Sequence, residues 1–145
     1  MARMPRPVPG AQVQARRQPQ SAPETKFWWD GINEGKLLLQ KCQDCDHVYF
    51  PPRPFCEKCA SRNVEAFQAS GKATLYSYII NMRPRPDVST EPSAIAVVSL
   101  AEGPRMMTNI VDCPQTPEAL VLDMPLEFTT IDVEGGKLPQ FRPAK

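Results

Sequence analysis

Four cysteines, in the pairs Cys42-Gln43-Asp44-Cys45 and Cys56-Glu57-Lys58-Cys59 with ten residues between them, are the side chains whose type and spacing could do chemistry. A two-residue gap lets both thiolates of a tight knuckle point at one ion, and two knuckles supply the four sulfurs of a tetrahedral shell. A closed shell leaves no position for a catalytic water. The chemistry implied is structural: a single Zn2+ per chain, with roughly 10 to 16 kcal/mol of binding free energy becoming folding free energy. Two disulfides or unrelated buried thiols are the alternatives. No secretory signal precedes the cysteines, and the reducing cytoplasm expected from this favours metal. A thioredoxin-type redox pair would need one Cys-x-x-Cys opening a helix, which Pro51, Pro52 and Pro54 do not fit.

The remaining inventory is thin for catalysis. Acid/base or nucleophilic work needs a positioned pair of groups, and the chain has a single histidine, His47, two residues past a candidate ligand. With four sulfurs filling the shell, a fifth ligand is disfavoured, which leaves His47 as a hydrogen-bond donor to a thiolate or as a surface residue. Cys113 has no histidine or basic neighbour in its local sequence, so a packed thiol is expected. No Gly-rich phosphate loop occurs, and Gly71 and Gly103 read as turn residues. No catalytic residue is assigned.

The elements that must hold the knuckles are legible around them. At 145 residues, with 41% hydrophobic and 23% charged side chains, the chain can bury one core plus a small appendage. No apolar run approaches a membrane span. Residues 1–23 hold five prolines, few large apolar groups and no periodicity, so a flexible Pro/Arg tail is expected. The segment 24–35 carries Phe27, Trp28, Trp29 and Ile32, and predicts a short helix with Thr25 as N-cap and a stop near Gly31 or Gly35. Three adjacent aromatics cannot share one helix face, so Phe27, Trp28 and Trp29 either complete the chain's own core or form part of a partner interface. Residues 36–63 then form the ribbon, with strands at Lys36–Lys41 and His47–Phe50.

From residue 64 to 145 the pattern is β. Strands are predicted at Ala73–Asn81, Ser93–Leu100, Arg105–Val111, Pro125–Val133 and around Leu138–Phe141, with Val64–Ala69 as a lead-in and a turn of helix at Pro117–Leu122. Five short strands with a helix after the third indicate an OB-type barrel, with an open sandwich as the competing arrangement. The fold class is thus mainly β: an N-terminal helix, a rubredoxin-like zinc ribbon and a five-stranded OB-fold barrel.

The run FWWDGINEGKLLLQKCQDCDHVYFPPRPFCEKC, then SGKATLYSYII, VDCP and a terminal LPQFRPA, resembles the bacterial and archaeal OB-fold proteins with a rubredoxin-like zinc ribbon that were long classed as a domain of unknown function. The resemblance covers about Lys26 to Ala144. It implies an accessory subunit of enzymes acting on acyl-CoA thioesters. The implied partners are a thiolase-fold (sterol-carrier-type) protein in a hetero-oligomer, or a MaoC-type hydratase, and some relatives complete an aldolase that removes steroid side chains. If such a subunit touches CoA, its phosphates need cations, and the candidates are Arg53, Arg83 and Arg85, with Lys72 ranked below them. Arg142, in the closing Phe-Arg-Pro, is expected to pack at the barrel end.

Nucleic-acid binding is the other function class, since zinc ribbons and OB barrels also serve it, with Tyr76, Tyr78 and Phe128 as a stacking platform. Charge argues against it. The net charge is +1, but Arg3, Arg6, Arg16 and Arg17 stand against Glu24 in the first 25 residues, leaving 13 basic and 15 acidic groups elsewhere. A body of that balance neutralises few phosphates.

Overall fold

The structure, a computed structural model, describes residues 16–82 and 92–145. Helix α1 (Lys26–Asn33) is followed by β1 (Leu38–Cys42), β2 (Val48–Tyr49) and β3 (Val64–Gln68), which form one antiparallel sheet in the order β2-β1-β3. A second sheet of five strands contains β4 (Lys72–Asn81), β5 (Ser93–Leu100), β6 (Arg105–Asn109), β7 (Pro125–Val133) and β8 (Gly136–Pro143). Its order is β6-β5-β4-β7-β8. A parallel bridge between Ile110 and Phe141, with the Val111 N–H donating to the Phe141 carbonyl at 2.8 Å, brings the two ends of that sheet together into a nearly closed OB-type barrel. The open sandwich is excluded by that closure.

Strand β5 explains why the barrel was legible. Its alternate residues Ala94, Ala96, Val98 and Leu100 are buried while those between are half-buried, the period-two pattern of a strand with one face in a core. Leu75, Met106, Ile110, Leu120, Leu126 and Phe141 fill the same interior. The expected helix at 117–122 is a single turn, in which the Leu120 N–H reaches the Thr116 carbonyl at 3.1 Å, and its yield is one buried leucine. The lead-in strand differs more. β3 pairs along its whole length with β1, from Leu38 opposite Gln68 to Cys42 opposite Val64, and so belongs to the ribbon sheet rather than to the barrel.

The helix joins the two sheets. It ends in a Schellman motif: the Lys36 N–H bonds the Gly31 carbonyl at 2.8 Å, the Gly35 N–H bonds the Ile32 carbonyl at 2.9 Å, and Gly35 takes φ +78°. Thr25 does not cap the start, because its hydroxyl turns back to Ala22. Trp28, only 5% exposed, and Ile32 are buried together with Leu37 and Leu39 of the ribbon side and the barrel residues named above, in one continuous core. The Trp28 indole donates to the Leu38 carbonyl at 3.0 Å, and its ring lies 5.6 Å from that of Phe50. Phe27 and Trp29 are half-buried against the same core. Trp28 therefore leaves the set of expected interface residues: its polar atom is satisfied inside the chain and its area is already spent there.

The segment before the helix is partly tied down. Gln18 donates its backbone N–H to the Glu134 carbonyl at 2.9 Å and its side-chain amide to Asn33 Oδ1 at 2.7 Å. This departs from a flexible tail running through residue 23, and the reason is backbone pairing at the β7–β8 turn, which composition does not report. Residues 1–15 of that tail lie outside the described residues, as do Arg83 and Arg85. Among the described residues no helix is long and apolar enough to cross a membrane.

Candidate metal centre

The two knuckles have the same local geometry. In the first, the Asp46 N–H donates to the Cys42 carbonyl at 2.9 Å and the Cys42 N–H to the His47 carbonyl at 2.9 Å. In the second, the Ala60 N–H donates to the Cys56 carbonyl at 2.9 Å and the Cys56 N–H to the Ser61 carbonyl at 2.8 Å. The residue after each second cysteine is left-handed, with φ 61° at Asp46 and φ 62° at Ala60. An L-residue loses roughly 1–2 kcal/mol there. Aspartate tolerates the conformation better than alanine does. Ala60→Gly is expected to stabilise the protein by about 0.5 kcal/mol, part of the relief being offset by glycine's greater chain entropy. A higher denaturation midpoint at unchanged m-value would report it.

Side chains lock the knuckles together. Asp44, inside the first, accepts from the Ser61 hydroxyl and from the Asn63 amide, and these bonds, Ser61 foremost, hold its carboxyl below the usual carboxylate range. Gln40, buried on β1, accepts the Arg53 N–H at 2.7 Å, and the Tyr49 hydroxyl donates to the Arg53 carbonyl at 3.0 Å. The loop between the knuckles is therefore fixed from the ribbon sheet. Burial pushes the Tyr49 phenol up from its ordinary value.

All four sulfurs converge within 4.8 Å of one another, with Cys42–Cys59 and Cys45–Cys56 contacts of 3.6 Å. A disulfide would need about 2.05 Å. A tetrahedron of thiolates at ~2.3 Å from one ion has edges of about 3.8 Å, and the donors present fit it. Cys45 and Cys56 do not ionise alike without an ion. The His47 backbone N–H lowers Cys45, but burial and bonds to the neighbouring thiols outweigh it and push Cys45 up to about 12. Burial raises Cys56, and the backbone N–H groups of Cys59 and Lys58 outweigh that and bring it down to about 7. Metal uptake near neutral pH must therefore displace protons, Cys45's among them, and affinity falls as pH falls.

His47 serves the centre through its backbone, which donates to the Cys45 sulfur. Its imidazole instead pairs with Glu57 at 3.1 Å and stacks on Tyr49. Of the two roles expected from the sequence, the imidazole thus takes that of a half-exposed surface group. Cys113 is a half-buried thiol against the barrel core, its pKa raised by burial and by Asp112, which is the surrounding of a packed thiol. Arg142 bonds Glu127 at 2.7 Å across the β7–β8 ladder and reaches Asp112 at 3.8 Å.

The other sequence-predicted residues are dispersed. Arg53 is exposed between the knuckles, and Lys72 is exposed at the start of β4. The stacking platform is not assembled. Tyr76 is covered by the Arg105 guanidinium at 3.7 Å, and Phe128 packs edge-on against the buried Phe141. Between ribbon and barrel runs a cleft of about 440 Å3 lined by residues 47–50, Glu57 and residues 102–105. Sequence reasoning missed it, because its walls are far apart in the chain.

Comparison with known proteins adds the following. The rubredoxin-like zinc ribbon domain of ChsH2 matches residues 29–65, and the C-terminal OB-fold domain of ChsH2 matches residues 67–130. A DUF35 domain-containing scaffold protein of Methanocaldococcus jannaschii is 35% identical over 112 residues, covering 74% of this chain and 78% of that one. The 3-oxo-4,17-pregnadiene-20-carboxyl-CoA hydratase alpha subunit of Mycobacterium tuberculosis is 30% identical over 129 residues, 89% of this chain. This chain spans only 40% of that relative's length, and 38% of a probable enoyl-CoA hydratase alpha subunit of Thermomonospora curvata. Among solved structures, a chain of the Ltp2-ChsH2(DUF35) aldolase superposes with a TM-score of 0.79 at 30% identity, over 88% of this chain and 100% of that one.

Proposed function

The chain belongs to the ChsH2 (DUF35) family of zinc-ribbon and OB-fold proteins, and on that footing we propose that it is a non-catalytic accessory subunit of an enzyme acting on acyl-CoA thioesters. The partner is a thiolase-fold (sterol-carrier-type) protein in a hetero-oligomer, working as an aldolase or thiolase in the cytoplasm, with steroid side-chain degradation as the pathway class. The observation that carries this reading is the metal centre. Its donors are four thiolates closed on one another, a set that suits Zn2+ and holds structure rather than activating water. When bound, Zn2+ supplies cross-linking of the two knuckles, and Cys42, Cys45, Cys56 and Cys59 hold it.

Two further observations support the reading. The helix welds ribbon and barrel around one core, which gives a partner a rigid surface against which to order its own loops. The solved relative that matches over its whole length is part of an aldolase described as Ltp2-ChsH2. The names of the longer relatives point to a hydratase as the alternative partner. Arg53 and Lys72 are the proposed phosphate contacts within the described residues.

The test is an assay of this protein alone, of Ltp2 alone, and of the two mixed, on a β-hydroxy acyl-CoA. The expected result is no turnover by this protein, little by Ltp2, and a rise of at least about a hundredfold on mixing, the scale that ordering of a partner's site supplies. Robust turnover by this chain with no partner present would show the accessory reading to be wrong.

A further inference from the structure

The outer face of the barrel carries apolar side chains where a solvated strand face would carry polar ones. A β-bulge is the cause. Leu75 stands opposite Val98 and Ser77 opposite Val97, so Tyr76 is an extra residue in β4. Before the bulge Ala73 and Leu75 point into the core; after it the partly buried core contacts are Tyr78 and Ile80. Without the bulge, in a strand paired regularly through Tyr76, Ile79 would share the inward face with Leu75. With it, Ile79 is turned outward and is 63% exposed.

The register shows what stands beside it. Ile79 pairs with Ile95, and the neighbouring outward row runs from Ser77 through Val97 to Met107, which is 71% exposed. Tyr76, the bulged residue, is 48% exposed next to that row. Single exposed apolar residues are ordinary, but Tyr76, Ile79, Ile95, Val97 and Met107 together make a contiguous patch on the order of 400–500 Å2, the size of a monomer's largest patch, which is often functional. A specific interface needs about 800 Å2 per partner with its apolar part at the centre. The patch supplies the apolar centre of such an interface, and Thr74, Ser99 and Arg105 border it as a polar rim.

The rim states the chemistry of the occupant. Arg105 lies flat over Tyr76 and makes no ion pair among the described residues. A guanidinium braced on an aromatic ring at the edge of an apolar patch is the kind of group that anchors an interface when a carboxylate meets it. We infer that this β4–β5–β6 face is where the enzymatic subunit docks, a folded protein offering an apolar surface with a carboxylate opposite Arg105. The inference rests on the accessory-subunit reading and specifies its interface, and it puts the main contact on the barrel rather than on the aromatic helix.

The test uses the full chain and Ltp2, with affinity measured by titration for the unsubstituted protein and for Ile79→Glu, Met107→Glu and Arg105→Glu. Each variant is first checked for an unchanged metal content and unfolding midpoint, which outward-facing positions should keep. Expected is a loss of about thirtyfold or more in affinity for at least Met107→Glu and Arg105→Glu, the scale of a hot-spot residue. If the unsubstituted protein binds and all three variants bind equally well, the docking face is overturned while the accessory-subunit reading stands. If the unsubstituted protein does not bind Ltp2, the Ltp2-type partner falls and the docking face with it. If it instead forms a dimer that Met107→Glu splits, the face belongs to a second copy and the inference is wrong.

Discussion

Cys42→Ser is expected to empty the metal site and unravel the ribbon while leaving the barrel folded. Cys42 is the ligand with most to lose. It closes β1, its backbone holds both ends of the first knuckle, and its sulfur is buried in contact with that of Cys59. A structural zinc contributes on the order of 10 to 16 kcal/mol. That matches or exceeds the whole stability of a typical domain, roughly 5 to 15 kcal/mol. The barrel should survive because its core residues lie on strands that pair among themselves. Zinc content measured against protein concentration should fall from one equivalent to none, and hydrogen exchange should speed up between Cys42 and Cys59 while residues 93–100 stay protected. Cys113→Ser should keep both the metal and the protection. Full zinc occupancy in a Cys42→Ser, Cys56→Ser double variant would sink the assignment. Acidification should act as the substitution does, because the thiolates that hold the ion are reprotonated as pH falls.

Trp28→Ala is expected to cost about 3–5 kcal/mol, the range for truncating a buried aromatic. The residue does three things at once: it fills the space between helix, ribbon and barrel, packs at 4.8 Å edge-on against Trp29, and donates to the Leu38 carbonyl. Loss should therefore appear as a lower global midpoint in chemical denaturation, with ribbon and barrel uncoupled. Trp28→Phe, which keeps most of the area and loses the N–H, should cost less. A Trp28→Ala protein of unchanged stability that no longer assembles with its partner would return this residue to the interface.

The contrast between Trp28 and the cysteines marks the limit of a one-dimensional reading. Helical spacing says that three adjacent aromatics cannot share a face, and stops there; which of them is buried depends on Phe50 and Leu38 arriving from the ribbon. The same holds for Tyr76, Tyr78 and Phe128. Alternation makes all three candidates for a surface platform, yet a bulge of one residue gives Tyr76 and Tyr78 different surroundings, and Phe128 packs on Phe141. The sequence marks the third ribbon strand as a strand but counts it with the barrel, because pairing partners are distant in sequence.

What the sequence by itself determined is whatever is written locally. The four-sulfur site follows from two-residue gaps, since a knuckle closes within a few residues and brings its own backbone bonds with it. The barrel strands follow from runs of β-branched and aromatic residues bounded by Gly or Pro, which place both ends of β5 and β7, and β5 adds a burial period of two. What only the tertiary structure decided is which surfaces remain. The bond from Gln18 to Glu134, the place of β3 beside β1, the burial of Trp28 and the outward turn of Ile79 each depend on segments tens of residues apart meeting in one register. Packing is a property of pairs of segments, and a single strand of letters specifies each member of the pair without naming the other.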